Sequence, residues 1–259
     1  MDQSTQISKP QARTHAASEL GAWLDTAQGR YVADWERAKL DHIVADIFGY
    51  NAVQLGLPSH DFLGSSRIAL RFCAGAEAGA ALVSELTQLP LATSSIDLVV
   101  MPHVLEFAED PHQILREVER VLMPEGHVVI AGFNPFSLWG LRRRFGGGYP
   151  WCGRYLSLPR IKDWLALLGF EANRGCFGCY APPALQGKWL RRFAFMEKAG
   201  DRWWPIAGGL YIIRAVKRVQ GMRLVTPAWR TVGAPQKSLA TVARNGTHGF
   251  KVIKGGRDS

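Results

Sequence analysis

Two side chains spaced three residues apart could perform acid–base chemistry. His103 and Glu106 lie in the segment MPHVLE, which follows an apolar run. A histidine titrates near neutral pH, and a carboxylate one helical turn away can orient its ring. His103 is therefore a candidate catalytic base and Glu106 a candidate substrate-binding residue. Structural hydrogen bonding between the two is an equally good interpretation.

A second candidate site follows the apolar run HVVIAGF. Asn134 precedes a proline, and Arg142 opens a run of three arginines before three glycines. Arginine binds carboxylates and phosphates through paired hydrogen bonds, and nearby aromatic residues offer apolar contact. We expect an anionic or amphipathic acceptor to enter between residues 134–144 and the Trp- and Arg-rich residues 187–204. The alternatives are a simple turn at Asn134 and a solvated helix end at Arg142.

The four cysteines are too few and too scattered to predict a disulfide framework. Cys176 and Cys179 have the spacing of half a zinc site or of a redox pair. No second Cys/His pair is spaced to complete a metal site, and the residues that usually surround the redox motif are absent. The sequence therefore predicts no metal, and packing near a strand end is the favoured role of this pair.

Apolar runs that alternate with helical patterns must position these side chains. Asp110 and Pro111 form an N-cap followed by proline at the first helical position. The alternation predicts an α/β fold with a parallel sheet covered by helices, in which LVVM and VVIA are adjacent buried strands. The run GLYIIRAVK is predicted as an antiparallel edge strand. Strands are predicted at 52–57, 67–72, 81–86, 96–101, 127–133, 170–174 and 209–217, and helices at 31–48, 110–123 and 160–168.

Residues 89–135 resemble the class I S-adenosylmethionine-dependent methyltransferases of type 11, in a divergent bacterial branch. The Leu89-Pro90 turn, the strand IDLVVM, the VLE loop, the helix that begins after Asp110 and the strand HVVIAGF follow in the family's order and spacing. The resemblance implies a Rossmann-like, doubly wound sheet of about seven strands with a shortened second crossover. It also implies S-adenosyl-L-methionine as cofactor, bound over the carboxyl ends of the first strands.

The resemblance assigns cofactor-binding positions as well. Gln54 stands where the family has an acid, Gly56 is the first glycine of the motif, and Glu85 stands where an acid accepts from the adenine amino group. The full set implied for the cofactor is Gln54, Gly56, Glu85, Leu86, Met101 and Pro102.

The glycine motif is degraded in this chain. Pro58 and His60 occupy the next two glycine positions, and the second predicted strand ends without the acid that binds the ribose, the nearest being Glu77. Glycines there allow the backbone to approach the ligand closely. Three functions therefore stay open: a methyltransferase acting on a small or lipid-like acceptor, a non-catalytic methyltransferase-like binding protein, and an RNA-binding or RNA-modifying protein.

Composition and charge divide the 259 residues into parts. The composition is that of a globular protein, and no run approaches the ~18 apolar residues of a membrane span or forms a secretory signal, so we expect a cytoplasmic protein. Residues 218–259 carry eight basic residues and one acidic residue, so a net +7 of the total +9 lies there. We predict a disordered leader at 1–20, a methyltransferase-like domain at 21–217 with a lid insertion at 175–208, and a mostly disordered basic tail at 218–259 through which nucleic acid could bind.

Overall fold

The computed structural model describes residues 18–183, 200, 202 and 204–218. By its contacts the chain divides into two units, Met1–Gln220 and Gly221–Ser259, and every described residue belongs to the first. Residues 1–17 of the predicted leader, nearly all of the predicted tail and most of 187–204 lie outside the described residues. Residues 18–24 are helical and Leu20 is buried, so the described fold begins within the predicted leader.

Seven strands form one sheet. They are β1 (Asn51–Leu55), β2 (Leu70–Gly75), β3 (Leu82–Val83), β4 (Ile96–Pro102), β5 (Leu122–Phe133), β6 (Phe170–Gly178) and β7 (Leu210–Lys217). The order is β3-β2-β1-β4-β5-β7-β6, with β1 to β5 parallel and β7 antiparallel to both of its neighbours. This confirms the predicted doubly wound α/β sheet and the adjacent pairing of LVVM with VVIA.

The prediction that GLYIIRAVK is an edge strand is wrong. The strand β7 inserts between β5 and β6, and seven of its eight residues are buried. Its apolar run is continuous because both of its faces and both of its edges are covered. The edge position belongs to β6, which follows a predicted helix and was predicted to be shorter.

The three predicted helices are present, but most of their first and last residues differ from the predicted ones. They are α1 (Ala27–Ala45), α2 (Val104–Phe107), α3 (Pro111–Val121), α4 (Leu138–Arg142) and α5 (Leu158–Leu167), with a 3₁₀ turn at Pro205–Ala207. Helix α1 begins four residues before its predicted start because the Thr26 hydroxyl caps it, accepting from Gly29 N at 3.1 Å. Helix α3 begins as predicted, with the Asp110 carboxylate accepting from Gln113 N at 3.0 Å.

Two apolar layers cover the sheet, one on each face. Val128 and Val129 are both fully buried, but Val129 packs with Leu40 and Val44 of α1 in one layer and Val128 packs with Val118 of α3 in the other. Burial on both faces explains why the central strands are uniformly apolar. No helix among the described residues is both long enough and apolar enough to cross a membrane.

The second crossover is short, as predicted. Only residues 76–81 connect β2 to β3, and they contain no helix. A cavity lies at the carboxyl ends of β1, β2 and β4, and no helix between β2 and β3 covers it.

Candidate functional site

A cavity of about 340 Å³ lies at the carboxyl ends of the parallel strands. Cofactor cavities in proteins start at about this size. Its lining comes from the ends of β1, β2 and β4, from the β3 region, from the α2–α3 connection and from one residue of the 18–24 helix. The lining residues are Leu20, Gly56, Leu57, 75–77, 83–87, 102–104, 107–110 and Ile114.

The backbone turns sharply at the start of the loop that follows β1. Gly56 has a φ of +74° and Leu57 a φ of +50°. A side chain at Gly56 would be strained by that φ, and its Cβ would meet Val104 Cγ2 at 3.4 Å. The first glycine of the motif therefore contributes bare backbone to the cavity wall, and its contact with a cofactor stays a prediction.

Gln54 does not line the cavity but holds the loop from beneath. Its Nε2 lies within 3.0 Å of the carbonyl oxygens of Gly56, Leu57 and His60, and its Oε1 accepts from Phe62 N at 2.9 Å. The side chain is only 3% exposed. A carboxylate could not donate to those carbonyls, so the amide replaces the family's acid with a different function, which is to fix the loop.

The two substituted glycine positions lie away from the cavity lining. His60 is buried, and its ring stacks on Phe62 with centroids 6.3 Å apart. Pro58 lies beside Gly79, where an added Cβ would be 3.8 Å from Pro58 Cβ. Because Gln54 turns the loop between residues 56 and 62, neither Pro58 nor His60 narrows the space in which a ligand would lie.

Two of the acidic residues in the cavity lining follow the second and third strands. Glu77 is buried, and that burial raises the pKa of its carboxyl group. It follows β2 by two residues, because β2 extends to Gly75 and not to residue 72 as predicted. Glu85 also lines the cavity and accepts from the Thr87 hydroxyl at 3.4 Å. The true end of β2 at Gly75 therefore puts an acid, Glu77, just after the second strand, which the predicted end at residue 72 does not.

The remaining implied cofactor residues divide between wall and core. Leu86 and Pro102 line the cavity, whereas Met101 is fully buried in the apolar layer that contains α3. Successive side chains along β4 point to opposite faces of the sheet, so Met101 enters the apolar layer. Pro102, the last residue of β4, reaches the cavity at the carboxyl end of the strand.

His103 sits at the cavity edge, but its ring is sealed between two carboxylates. Its backbone has a φ of +54°, its side chain is excluded from solvent, and Nδ1 lies 2.9 Å from Glu106 Oε2. Its Nε2 lies 2.7 Å from Oε1 of Glu36, a fully buried residue of α1, although the angle departs from that of a regular hydrogen bond. Glu106 also accepts from the Phe133 backbone N–H.

The charge state of this cluster follows from its surroundings. Burial lowers the pKa of His103, but the carboxylates of Glu36 and Glu106 more than offset it and raise the pKa to about 10. Burial raises the pKa of Glu106, with the His103 contact opposing it. An imidazolium at neutral pH has no site for a proton. The geometry favours the structural role of His103 and Glu106 over catalysis by His103.

Asn134 and Arg142 lie outside the cavity lining. The Asn134 amide donates to the carbonyl oxygens of Ile206 and Gly208 at 2.7 and 2.9 Å, which joins the end of β5 to the start of β7. Arg142 lies with its guanidinium 5.4 Å from the Trp151 ring. Its neighbours Arg143 and Arg144 line a second cavity of about 430 Å³ beside Trp151.

The two cysteines of the CFGC segment take part in packing. Cys179 is fully buried in the layer that contains α1, and Cys176 packs against the same layer. Among the described residues no group of three or more His, Cys, Asp or Glu side chains is placed to hold a metal ion.

Comparison with known proteins agrees with the fold. Residues 66–130 match the family model described as "Methyltransferase domain". The chain is 44% identical over 86 residues to the "Uncharacterized protein YafS" of Escherichia coli K12, covering 32% of this chain and 36% of that protein. It is 33% identical over 97 residues to a malonyl-[acyl-carrier protein] O-methyltransferase of Laribacter hongkongensis, covering 37% and 33%. The chain thus spans about a third of the length of these curated relatives.

A solved structure shares the fold. An S-adenosylmethionine-dependent methyltransferase from Thermotoga maritima superposes with a TM-score of 0.52 at 18% identity, covering 73% of this chain and 97% of that one. The matched family segment contains β2 to β4 and α3, which form much of the cavity wall. Residues 66–130 therefore match the methyltransferase domain family, and the sheet as a whole has the Rossmann-like fold that the solved methyltransferase shows.

Proposed function

We propose that the chain binds S-adenosyl-L-methionine and transfers its methyl group to a small or lipid-like acceptor. The observation that carries the proposal is the cavity at the carboxyl ends of β1, β2 and β4, with the Gly56 backbone and the Glu77 carboxylate in its wall. When bound, the cofactor supplies an activated methyl group on a positively charged sulfur.

The lining residues fit that cofactor in shape and in charge. Glu77, Glu85, Glu109 and Asp110 are acidic, which suits a ligand that carries a sulfonium and an ammonium group. In this proposal Glu77 accepts from the ribose hydroxyl groups, and Glu85 accepts from the adenine amino group. Leu86 and Ile114 offer apolar surface to the flat adenine ring.

The chain's contribution to the transfer is to position the acceptor and to exclude water. Pro102, His103 and Val104 form one part of the cavity wall, and the contacts of His103 with Glu36 and Glu106 hold its left-handed backbone in place there. Alignment of two reactants accounts for much of the rate enhancement in such transfers.

The charge state of His103 bears on the acceptor. His103 is the only histidine among the described residues that line the cavity, and it already carries its proton. An acceptor that is nucleophilic at neutral pH without a histidine base, such as a carboxylate, therefore suits the site best. The O-methyltransferase relative of Laribacter hongkongensis, whose printed name specifies malonyl-[acyl-carrier protein], supports this acceptor class.

Isothermal titration calorimetry with S-adenosylmethionine tests the first half of the proposal. We expect saturable binding to the full chain and competition by S-adenosylhomocysteine. Transfer of tritiated methyl groups to a panel of carboxylic acids, acyl carrier conjugates and lipid extracts tests the second half. Binding without transfer to any acceptor would favour the non-catalytic binding protein, and no binding would overturn the proposal.

A further inference from the structure

A solvent-exposed surface that combines apolar and basic side chains follows β5. Phe136, Leu138, Leu141 and Phe145 are 72%, 50%, 50% and 85% exposed, and the arginines at 142–144 are exposed between them. We name these residues the α4 patch. Isolated exposed apolar residues are common, but four within ten residues, mixed with three arginines, indicate an interaction surface.

Helix α4 is anchored from its other side, so the exposure of its leucines is built into the fold. The Trp139 ring is buried against Trp23 and Phe133, and its Nε1 donates to Ala181 O at 2.9 Å. Gly140 packs so closely on Pro135 that an added Cβ would lie 2.1 Å from the Pro135 carbonyl oxygen. The helix cannot roll to bury Leu138 or Leu141 without releasing both contacts.

The arginines of the patch lack acidic partners in the part of the chain that the structure describes. Arg142 and Arg143 lie 5.4 and 5.5 Å from the ring centroids of Trp151 and Tyr155, contacts that leave their charges uncompensated. From Gly126 to Lys162 the sequence has six basic residues and no acidic one. The surface around α4 therefore presents net positive charge beside exposed phenylalanine and leucine.

We propose that the α4 patch docks the protein on the surface of an anionic phospholipid bilayer. Phenylalanine and leucine enter the boundary between headgroups and acyl chains, while arginines bind the phosphate groups at the same depth. A protein interface usually keeps charge at its rim, around an apolar centre. Here the arginine run lies between Leu141 and Phe145, which matches the mixed layer of a membrane surface.

Co-sedimentation of the full chain with vesicles tests this proposal without cofactor or acceptor, so its outcome is separate from that of the proposed function. We expect binding to phosphatidylcholine vesicles that contain about one third phosphatidylglycerol, weak binding to phosphatidylcholine alone, and loss of binding near 1 M salt. Binding of the wild type to both vesicle types alike, or to neither, would overturn the proposal.

Two variants locate the surface. The triple variant Arg142→Gln, Arg143→Gln, Arg144→Gln and the double variant Phe136→Ser, Phe145→Ser should each lower the partition coefficient at least about tenfold. The matched control is Leu167→Ser, because Leu167 is 84% exposed at the end of α5, a helix that packs in the apolar layer opposite the one that contains Trp139. Near-ultraviolet circular dichroism checks that each variant is folded.

The basic segment 218–259 is retained in all of these variants. If both patch variants bind vesicles as the wild type does, the attraction comes from elsewhere in the chain and the proposal is wrong. If the wild type ignores vesicles but binds an acidic carrier protein through Arg142–Arg144, the patch recognises a protein and the proposal is equally wrong.

Discussion

Nε2 of His103 lies 2.7 Å from Oε1 of Glu36, and neither side chain reaches solvent. Glu36 belongs to α1, whereas His103 follows β4 at the edge of the cavity. With Glu106 on the other ring nitrogen, the contact ties the first long helix to the cavity wall through a buried charge cluster. The cluster holds one imidazolium and two carboxyl groups, so its stability depends on the cation.

Replacing His103 with asparagine should lower the free energy of unfolding by about 3–5 kcal/mol, because it removes the only cation between two buried carboxylates. Asparagine tolerates the left-handed backbone at this position, so backbone strain would not account for the loss. Urea unfolding followed by tryptophan fluorescence measures the change. The matched control is Glu171→Gln, which breaks an exposed ion pair with Arg218 and should have little effect.

A His103→Asn variant that unfolds like the wild type would contradict the charge-cluster interpretation. If that variant also lost methyl transfer while it retained S-adenosylmethionine affinity, His103 would act as a catalytic base after all.

The free energy of unfolding should pass through a maximum near pH 6.5. The pKa of His103 is raised to about 10, so its contribution is complete below its unfolded value of 6.5 and is lost as the pH rises toward 10. Burial and the neighbouring Arg214 lower the pKa of His127 to about 4, so stability is lost as the pH falls from 6.5 toward 4. Unfolding titrations across this range measure both arms.

Single substitutions separate the acidic and alkaline sides of the dependence of the free energy of unfolding on pH. His103→Asn should flatten the alkaline arm, and His127→Asn should weaken the acidic arm. An alkaline arm that persists unchanged in His103→Asn would show that other groups, such as the buried tyrosines, produce it.

Restoring the family's acid at position 54 should damage the protein. In Gln54→Glu the donor that serves the carbonyl oxygens of Gly56, Leu57 and His60 becomes an acceptor, so the loop loses its hydrogen bonds and gains repulsion. We expect a loss of about 1–3 kcal/mol in the free energy of unfolding and weaker binding of S-adenosylmethionine. Gln54→Met, with a similar shape and no charge, is the matched comparison. Tighter cofactor binding by Gln54→Glu would show that the acid contacts the ligand.

S-adenosylmethionine should raise the melting temperature by about 5–10 °C at a hundredfold excess over its dissociation constant. Glu77→Ala should weaken that binding about 10- to 100-fold, because the proposed acceptor for the ribose hydroxyl groups is lost. Asp34→Ala, which removes an exposed carboxylate on α1 outside the cavity, is the control. Thermal shift and calorimetry measure both variants. Equal affinities of Glu77→Ala and the control would exclude Glu77 from the ribose contact.

The sequence by itself determined the local elements and their order. Asp110 and Pro111 predicted where α3 begins because capping depends only on neighbouring residues, and the uniform apolar runs predicted β4 and β5 as buried neighbours. The resemblance implies Gly56, Glu85, Leu86 and Pro102 as cofactor-binding residues, and all four line the cavity, whereas their contact with the cofactor stays a prediction.

Only the tertiary structure decided what depends on contacts between distant segments. Burial of Glu36 against His103, insertion of β7 beside β5 and entry of Glu77 into the cavity all require elements far apart in the chain to meet. Gln54 matches no local pattern for a loop-fixing residue, because its role exists only once the loop folds over it. Periodicity and capping report forces between near neighbours in sequence, whereas partner choice in a core is set by packing and by the need to pair every buried charge.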